Sequence, residues 1–326
     1  MMKIGVLGAG HLGKIHIRCI LSEDCSSVWD FAGFYDPDDQ NAASAIAQFG
    51  VRRFNTYEEL LGEVDAVDIV TPTPFHFRLA SEALRAGKHV FIEKPVTHTV
   101  DEADELLKLA ADTGLKVQVG HVERFNPAFT GLKGMTLQPM FIEGHRLAAF
   151  QPRGTDVSVI LDLMIHDLDL VLHLVKSPVK KVSASGVAVL SHTPDIANAR
   201  IEFENRCVAN LTASRISMKS MRKMRLFQED HYLSLDFSEK NAQIIRLYDQ
   251  AADNLPPVDQ LMEFDTPRGK KWLEMRMPET APVNAIVEEL RTFHHAIATD
   301  TTPVVSLQDG VDALRLAHWI LDEIGS

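Results

Sequence analysis

The sequence predicts an α/β protein in two parts: an N-terminal parallel sheet with helices on both faces, then an α+β domain with a large, mainly antiparallel open sheet. Three observations carry that prediction. A strand runs straight into a glycine-rich turn and a helix near the N-terminus, "KIGVLGAGHLGKIHIRCIL". Strand-like and helical runs then alternate as far as residue 120, as in a parallel sheet whose crossovers are helices. From about residue 122 the rhythm changes to short β-branched runs parted by turn residues, which suits antiparallel pairing. At 326 residues the chain exceeds one ordinary core. The boundary falls between 1–121 and 122–326, with the C-terminal helix free to pack back on the first domain.

Composition narrows the class. Hydrophobic residues make up 45% and charged residues 24%, an ordinary globular mixture. The net charge of −12 argues against general nucleic-acid or anionic-membrane binding, because a polyanion would be repelled. No run approaches about 18 uninterrupted apolar residues, and "MMKIGVLGAG" enters a strand at once with no leader features. Cys19, Cys25 and Cys207 form no CxxC and no metal-ligand spacing, so they read as reduced thiols. A cytoplasmic protein without a metal site is expected.

The elements follow in order. "KIGVL" is a buried strand, and Gly8, Gly10 and Gly13 form GxGxxG around His11 and Leu12. One glycine allows the tight turn, the next lets backbone approach a pyrophosphate, and the third lets helix pack on strand. The helix N-terminus offers unpaired N–H groups and partial positive charge to phosphates. The next strand, "WDFAGFYD", ends in Asp36, 23 residues beyond Gly13. A carboxylate there accepts hydrogen bonds from ribose hydroxyls and repels a 2′-phosphate, which favours NAD over NADP. The competing reading makes Asp36 a turn residue before Pro37. "NAASAIAQFG" is helical, and "TYEELL" opens with a Thr56/Glu59 capping box. "AVDIV" is a strand, "FHFRLASEALRAG" a helix and "HVFIE" a strand. "TVDEADELLKLAADTG" is a helix with a Thr99/Glu102 box and Gly114 as its stop, and "KVQVG" closes the series. This is a Rossmann dinucleotide-binding domain. Its cofactor belongs at the carboxyl ends of the strands, where "TPTPFH" (71–76), "EKP" (93–95) and "GHVERFNP" (120–127) lie. Proline holds such segments extended, as a wall beside a flat nicotinamide ring would need.

In the second part, "VILDLMIHDLDLVLHL" (159–174) puts carboxylates and imidazoles into an apolar helix. Asp162 and His166 are four apart and should share a face. That pair is either a satisfied polar edge or an acid–base device in a cleft. Extended runs follow: "VKKVSASGVAVL", "NARIEFEN", "CVANLTASRIS", "HYLSLDFS" and "AQIIRLYD". Residues 250–280 read as a long loop, and two amphipathic helices close the chain. Arg215, Lys219, Arg222, Lys223 and Arg225 crowd "SRISMKSMRKMR" (214–225) without an acidic residue. A pyrophosphate would need such charge, and arginine suits bidentate phosphate contacts; a solvated strand-and-turn face is the competing reading.

The N-terminal GxGxxG, Thr71-Pro72-x-x-x-His76 and Glu93-Lys94-Pro95, in that order, resemble the glucose–fructose oxidoreductase / inositol dehydrogenase / rhizopine-catabolism family over essentially the whole chain. The resemblance implies that Lys94 lies beside nicotinamide and substrate, with Glu93 and Pro95 shaping its turn. It also implies that Asp162 and His166 match the family's D-x-x-x-H element on the first helix of the second domain. His166 would then take a hydroxyl proton as hydride leaves the same carbon, and Asp162 would orient the ring. Imidazole suits the task, with an unperturbed pKa of about 6.5. An open sheet that pairs between subunits is implied too, hence a homo-oligomer, dimer or tetramer. Many relatives carry glycine where this chain has Met164. "DVSVILDLMIHDLDLV" and "GHVERFNP" instead resemble the branch that oxidises the 3-hydroxyl of UDP-N-acetylglucosamine, whose 3-keto product is aminated and enters lipid A in some bacteria. Arg124, Asn126, Arg215 and Arg222 are the candidate sugar or phosphate contacts. His173 and Asp167 are assigned no chemistry. A cyclitol or free-sugar dehydrogenase is the nearest rival, and an NAD-binding regulator without catalysis is the rival from another class. A metal-dependent hydrolase is disfavoured by the scattered histidines.

Overall fold

The computed structural model describes residues 1–150, 157–249, 255–257, 261–267, 269–279 and 283–325. The chain divides into two compact units, Met1–Phe125 with Val283–Arg315, and Asn126–Pro282 with Leu316–Ser326. The first unit is therefore discontinuous: a helical segment from the C-terminal region completes it.

In the first unit the elements run β1 (Met2–Leu7), α1 (His11–Ile20), α2 (Glu23–Ser26), β2 (Trp29–Tyr35), α3 (Asp39–Phe49), α4 (Tyr57–Glu63) and β3 (Ala66–Ile69). They continue with α5 (His76–Arg85), β4 (His89–Glu93), α6 (Val100–Thr113) and β5 (Val117–Gly120). The five strands are parallel in the order β2-β1-β3-β4-β5. A single parallel bridge from Arg53 to Phe34 extends the β2 edge. With that bridge the sheet has the doubly wound order whose direction reverses beside β1, the crevice where such sheets bind ligands.

Local chemistry explains the boundaries. Thr99 and Glu102 form a complete capping box, and Gly114 ends α6 in the left-handed region. The Thr56/Glu59 box is rearranged: Thr56 caps Glu59 N–H, but the Glu59 carboxylate accepts from Asn55 N–H, one residue earlier. In the structure α9 (Ala285–Ala298) supplies Val287, Leu290 and Phe293 to the core that holds Ile4, Trp29, Phe34 and Phe91. Trp29 Nε1 donates to the Leu290 carbonyl at 3.0 Å, and Gln118 donates to that of Glu289 at 2.7 Å.

The second unit holds α7 (Pro127–Thr130), β6 (Phe141–Leu147), a π turn (Ile160–Met164) leading into α8 (Ile165–Val175), β7 (Val179–Val187), β8 (Ile196–Phe203), β9 (Val208–Ser214), β10 (Met221–Phe227), β11 (His231–Asp236), β12 (Asn241–Asp249), β13 (Leu261–Thr266) and β14 (Gly269–Arg276). The last helix, α10 (Leu307–Gly325), begins in the first unit's residues and ends in the second's. The nine strands form one sheet, β13-β14-β12-β11-β10-β6-β9-β8-β7. Pairing is antiparallel except between β6 and β9. Alternation buries one face, through Ala197, Ala199 and Ile201 on β8 and Leu233 and Leu235 on β11.

The expected loop at 250–280 is corrected here: β13 and β14 make a hairpin within it. Their charged, mostly exposed residues hid the strand pattern. Residues 250–254, 258–260, 268 and 280 of that stretch lie outside the described residues. β6 was also missed, and β10 is a strand inside the basic run. Among the described residues no helix is long and apolar enough to cross a membrane.

Candidate active site

A cleft of about 660 Å³ opens at the carboxyl ends of β1, β2, β3 and β4, all within the first unit. Gly8, Gly10, His11 and Leu12 form its floor, Asp36 one side, and Thr71 and Pro72 with Glu93 and Lys94 the other. The sequence had pointed to all of these. The glycines divide the labour as their chemistry requires. A Cβ on Gly13 would lie 2.0 Å from the Gly8 carbonyl oxygen, so its bare Cα lets α1 meet the turn. A Cβ on Gly10 would meet nothing within 4 Å, so that backbone faces the open cleft. Gly13→Ala is therefore expected to lower the melting temperature together with NAD affinity. Gly10→Ala should leave the melting temperature unchanged while weakening NAD at least tenfold, as read by calorimetry and by quenching of intrinsic fluorescence.

Asp36 is 6% exposed, and its carboxylate accepts from Ala9 N–H at 2.6 Å and from Asp38 N–H at 2.8 Å. It is both the turn-former and a cleft residue, and it ties the glycine turn to β2. A carboxylate has about four acceptor positions, so two bonds to backbone leave capacity for ribose hydroxyls. Arg53 donates to the Asp36 carbonyl at 2.9 Å, and Arg78 lines the same cleft. Asp36→Asn keeps an acceptor for Ala9 but removes the charge opposing a 2′-phosphate. Discrimination between NAD and NADP, measured as the ratio of dissociation constants, should then narrow by roughly tenfold, an energy of about 1.4 kcal/mol.

Tyr35, Asn41, Phe75 and Arg78 also line the cleft and were not anticipated. Phe75 is 49% exposed. An aromatic directly after the second of two prolines at a strand end, in "TPTPF", was the available signal. His76, expected at the cofactor, lies behind the wall. It is 1% exposed, and its ring nitrogens lie 2.8 Å from the carbonyl oxygens of Pro95 and Thr71. Burial lowers its pKa, which favours a neutral ring donating to one of the two. Its part is to brace the 71–72 and 94–95 segments. The Lys94–Pro95 peptide is cis. The Glu93 carboxylate turns inward and accepts the N–H of Lys94 at 3.1 Å.

In the second unit Asp162 and His166 are both half-buried. Asp162 lies within the π turn and His166 in the first turn of α8, so their spacing is not that of a regular α-helix; such turns are frequent at functional positions. Asp167 was read as inert. It is 3% exposed and accepts from Arg146 Nε at 3.1 Å and from the terminal nitrogen at 2.7 Å. This bidentate pair fastens α8 to β6 one residue from His166. Sequence reasoning missed Arg146 because its strand, "FIEGHRL", was missed.

Three of the four substrate candidates have partners within their own unit. Asn126 caps α7 by accepting from Ala128 N–H at 3.0 Å and donates to the Phe237 carbonyl at 3.0 Å, so its amide is engaged at both ends. Arg124, in the first unit, is 5% exposed and lies 3.5 Å from Asp309. Arg215 is buried, donates to the Val157 carbonyl and lies 3.8 Å from Asp195. Arg222 is exposed on β10. In the same run Lys223 pairs with Asp236 at 3.0 Å and Arg225 with Glu143 at 2.6 Å. The acidic partners come from neighbouring strands and loops, where a linear reading could not see them.

Residues 2–121 match the model described as "Oxidoreductase family, NAD-binding Rossmann fold", and residues 139–232 match the GFO/IDH/MocA C-terminal domain. The chain is 37% identical over 316 residues to a UDP-N-acetylglucosamine 3-dehydrogenase of Acidithiobacillus ferrooxidans, covering 97% of this chain and 94% of that one. A solved structure of UDP-N-acetylglucosamine 3-dehydrogenase from that organism superposes with a TM-score of 0.87 at 34% identity, covering 99% of this chain and 97% of the other. An inositol 2-dehydrogenase of Rhizobium meliloti is 29% identical over 332 residues, covering 97% of this chain and 94% of that one. The glycine turn, the open Gly10 backbone and the Asp36 carboxylate fit NAD. The chain belongs to the Gfo/Idh/MocA family of NAD-binding oxidoreductases.

Proposed function

We propose that this protein oxidises a secondary sugar hydroxyl, C3 of UDP-N-acetylglucosamine, to the 3-keto sugar with NAD. The observation that carries the substrate is the near full-length similarity to the Acidithiobacillus enzyme. The basic run adds nothing to it, since its charges are dispersed. Bound NAD supplies the acceptor for the hydride. His166 takes the proton of the hydroxyl, its imidazole being matched to neutral pH. Asp162 orients that ring and favours its charged form. Lys94 donates a hydrogen bond to the same oxygen and stabilises the negative charge that develops there. Gly10 and the α1 N-terminus hold the pyrophosphate through backbone N–H groups, and Asp36 holds the adenosine ribose.

The protein works in the cytoplasm as a homo-oligomer on this reading. Its three cysteines are buried and free, and Met262, Phe264 and Met275 stand exposed on the large sheet. Amination of the 3-keto product would supply an amino sugar of the kind that enters lipid A.

Similarity to the inositol dehydrogenase supports a second reading, a cyclitol or free-sugar dehydrogenase. Absorbance at about 340 nm decides, with near-stoichiometric enzyme and NAD, a carbonyl trap, and UDP-N-acetylglucosamine, UDP-glucose, N-acetylglucosamine or myo-inositol. A rise confined to the UDP-amino sugar supports the proposal. A rise with inositol or the free sugar alone overturns the UDP assignment. No rise with any of the four, with NAD binding confirmed, overturns the substrate proposal as a whole.

A further inference from the structure

Behind Lys94 the first unit buries a group of ionisable side chains that the reaction does not itself need. His16 projects from α1, Asp68 from β3, Glu93 from β4 and Glu289 from α9, and all four are nine-tenths or more buried. His16 Nδ1 lies 2.9 Å from Asp68 Oδ2, and His16 Nε2 lies 3.2 Å from Glu93 Oε1. The other Glu93 oxygen accepts the Lys94 N–H at 3.1 Å. Gly120 on β5 closes the space, because a Cβ there would lie 2.8 Å from Glu93 Oε1. The Glu93 carboxylate is thus clamped between His16, the Lys94 backbone and a bare Cα.

Charge in this group is governed by burial and pairing. Burial opposes a charged His16, but the Asp68 and Glu93 carboxylates outweigh it and raise its pKa well above the ordinary value. Burial pushes Glu93 up, but the His16 imidazole 3.2 Å away, with the Lys94 charge and N–H, holds it below the usual carboxylate range. Burial dominates Asp68, whose pKa is raised despite His16. Glu289 is pushed well up by burial and by the Glu93 charge, which favours its neutral form, and neither of its oxygens has a hydrogen-bond partner among the described residues. Gln118 on β5 and Cys19 on α1 complete the surroundings. The Asp68 and Glu93 carboxyl groups thus favour the imidazolium form of His16.

We infer that His16 is a positioning residue for the reaction: through Glu93 it fixes the backbone from which Lys94 projects and sets the electrostatic field at the Lys94 ammonium. This rests on the reading in which Lys94 acts on the substrate hydroxyl. It explains an otherwise costly arrangement, since an isolated buried ion is strongly disfavoured. The coupling has a sign. Without the imidazolium, burial dominates Glu93, which then protonates at a higher pH. Activity that needs ionised Glu93 is lost as pH falls through that raised value. At alkaline pH, where Glu93 is ionised in either protein, loss of the positive charge makes the field at Lys94 more negative and favours its ammonium.

His16→Gln is the direct variant. Asp68→Asn is the second, because it weakens the imidazolium yet keeps an acceptor for Nδ1 should the first fail to fold. Either variant should bind NAD within a few-fold of the parent. Below the limb set by His166, kcat should show a second acid break that lies about one pH unit higher than in the parent, in line with the 1–3 units an adjacent opposite charge can shift a pKa. Acylation of the Lys94 amine by acetic anhydride at about pH 9, followed by peptide mass spectrometry in the protein without substrate, should slow at least threefold relative to Lys14. Parent-like labelling in both variants overturns the inference. So does a kcat loss equal at every pH with NAD affinity lost, which marks a packing role. If no substrate is turned over, the mechanism for Lys94 fails, while the labelling still decides whether His16 sets the field there.

Discussion

His166→Ala is expected to lower kcat by 10²- to 10⁴-fold, the usual contribution of a positioned acid–base group, while NAD binds with unchanged affinity. The reason lies in where the residue sits: His166 is in the second unit, whereas the cleft that fits the dinucleotide is built wholly from the first. Lys94→Ala should cost turnover by a similar factor. Its pH dependence should differ, because Lys94 stabilises charge and His166 must be neutral to accept the proton. Single-turnover absorbance against pH separates the two. The parent rate should fall as pH drops and His166 takes up a proton, and that limb should vanish in His166→Ala but persist in Lys94→Ala. A His166→Ala enzyme with near-parent turnover would remove His166 from the chemistry.

Features set by short-range rules were legible from the sequence. The glycine turn, the Thr99/Glu102 box, the Gly114 stop and the β4 bounds need only local backbone geometry, and a linear reading finds them. The cleft residues Gly8, Gly10, Asp36, Thr71, Pro72 and Lys94 follow because a parallel sheet collects the carboxyl ends of its strands on one edge. What a linear reading could not see depended on partners distant in sequence. The basic run looked like a phosphate pocket because its neighbours 214–225 contain no acid. Folding brings Glu143, Asp195 and Asp236 to it from other segments. Asn126, a candidate sugar ligand, also caps α7 and reaches the Phe237 carbonyl. His16 passed as one more residue on an amphipathic helix, since Asp68, Glu93 and Glu289 lie up to 273 positions away.

Severing the Arg146–Asp167 pair carries the second large expected effect, and it bears on why α8 holds its charges. The two side chains are 4% and 5% exposed, so neither charge has bulk water to fall back on. Asp167→Ala removes the bidentate partner of a buried guanidinium and should destabilise the second unit by about 3–5 kcal/mol, as read from urea unfolding. Replacing both residues with apolar ones of similar volume, Arg146→Met with Asp167→Leu, should recover most of that loss, because the desolvation of both ions is then avoided. The double variant thus separates stability from positioning. α8 remains covered, but the bidentate contact that fixes its rotation on β6 is gone. If that contact serves the adjacent His166, the stable double variant will keep its NAD affinity and fold yet lose turnover at least tenfold. Full turnover in it would mean that packing of the apolar α8 residues alone suffices to aim the imidazole.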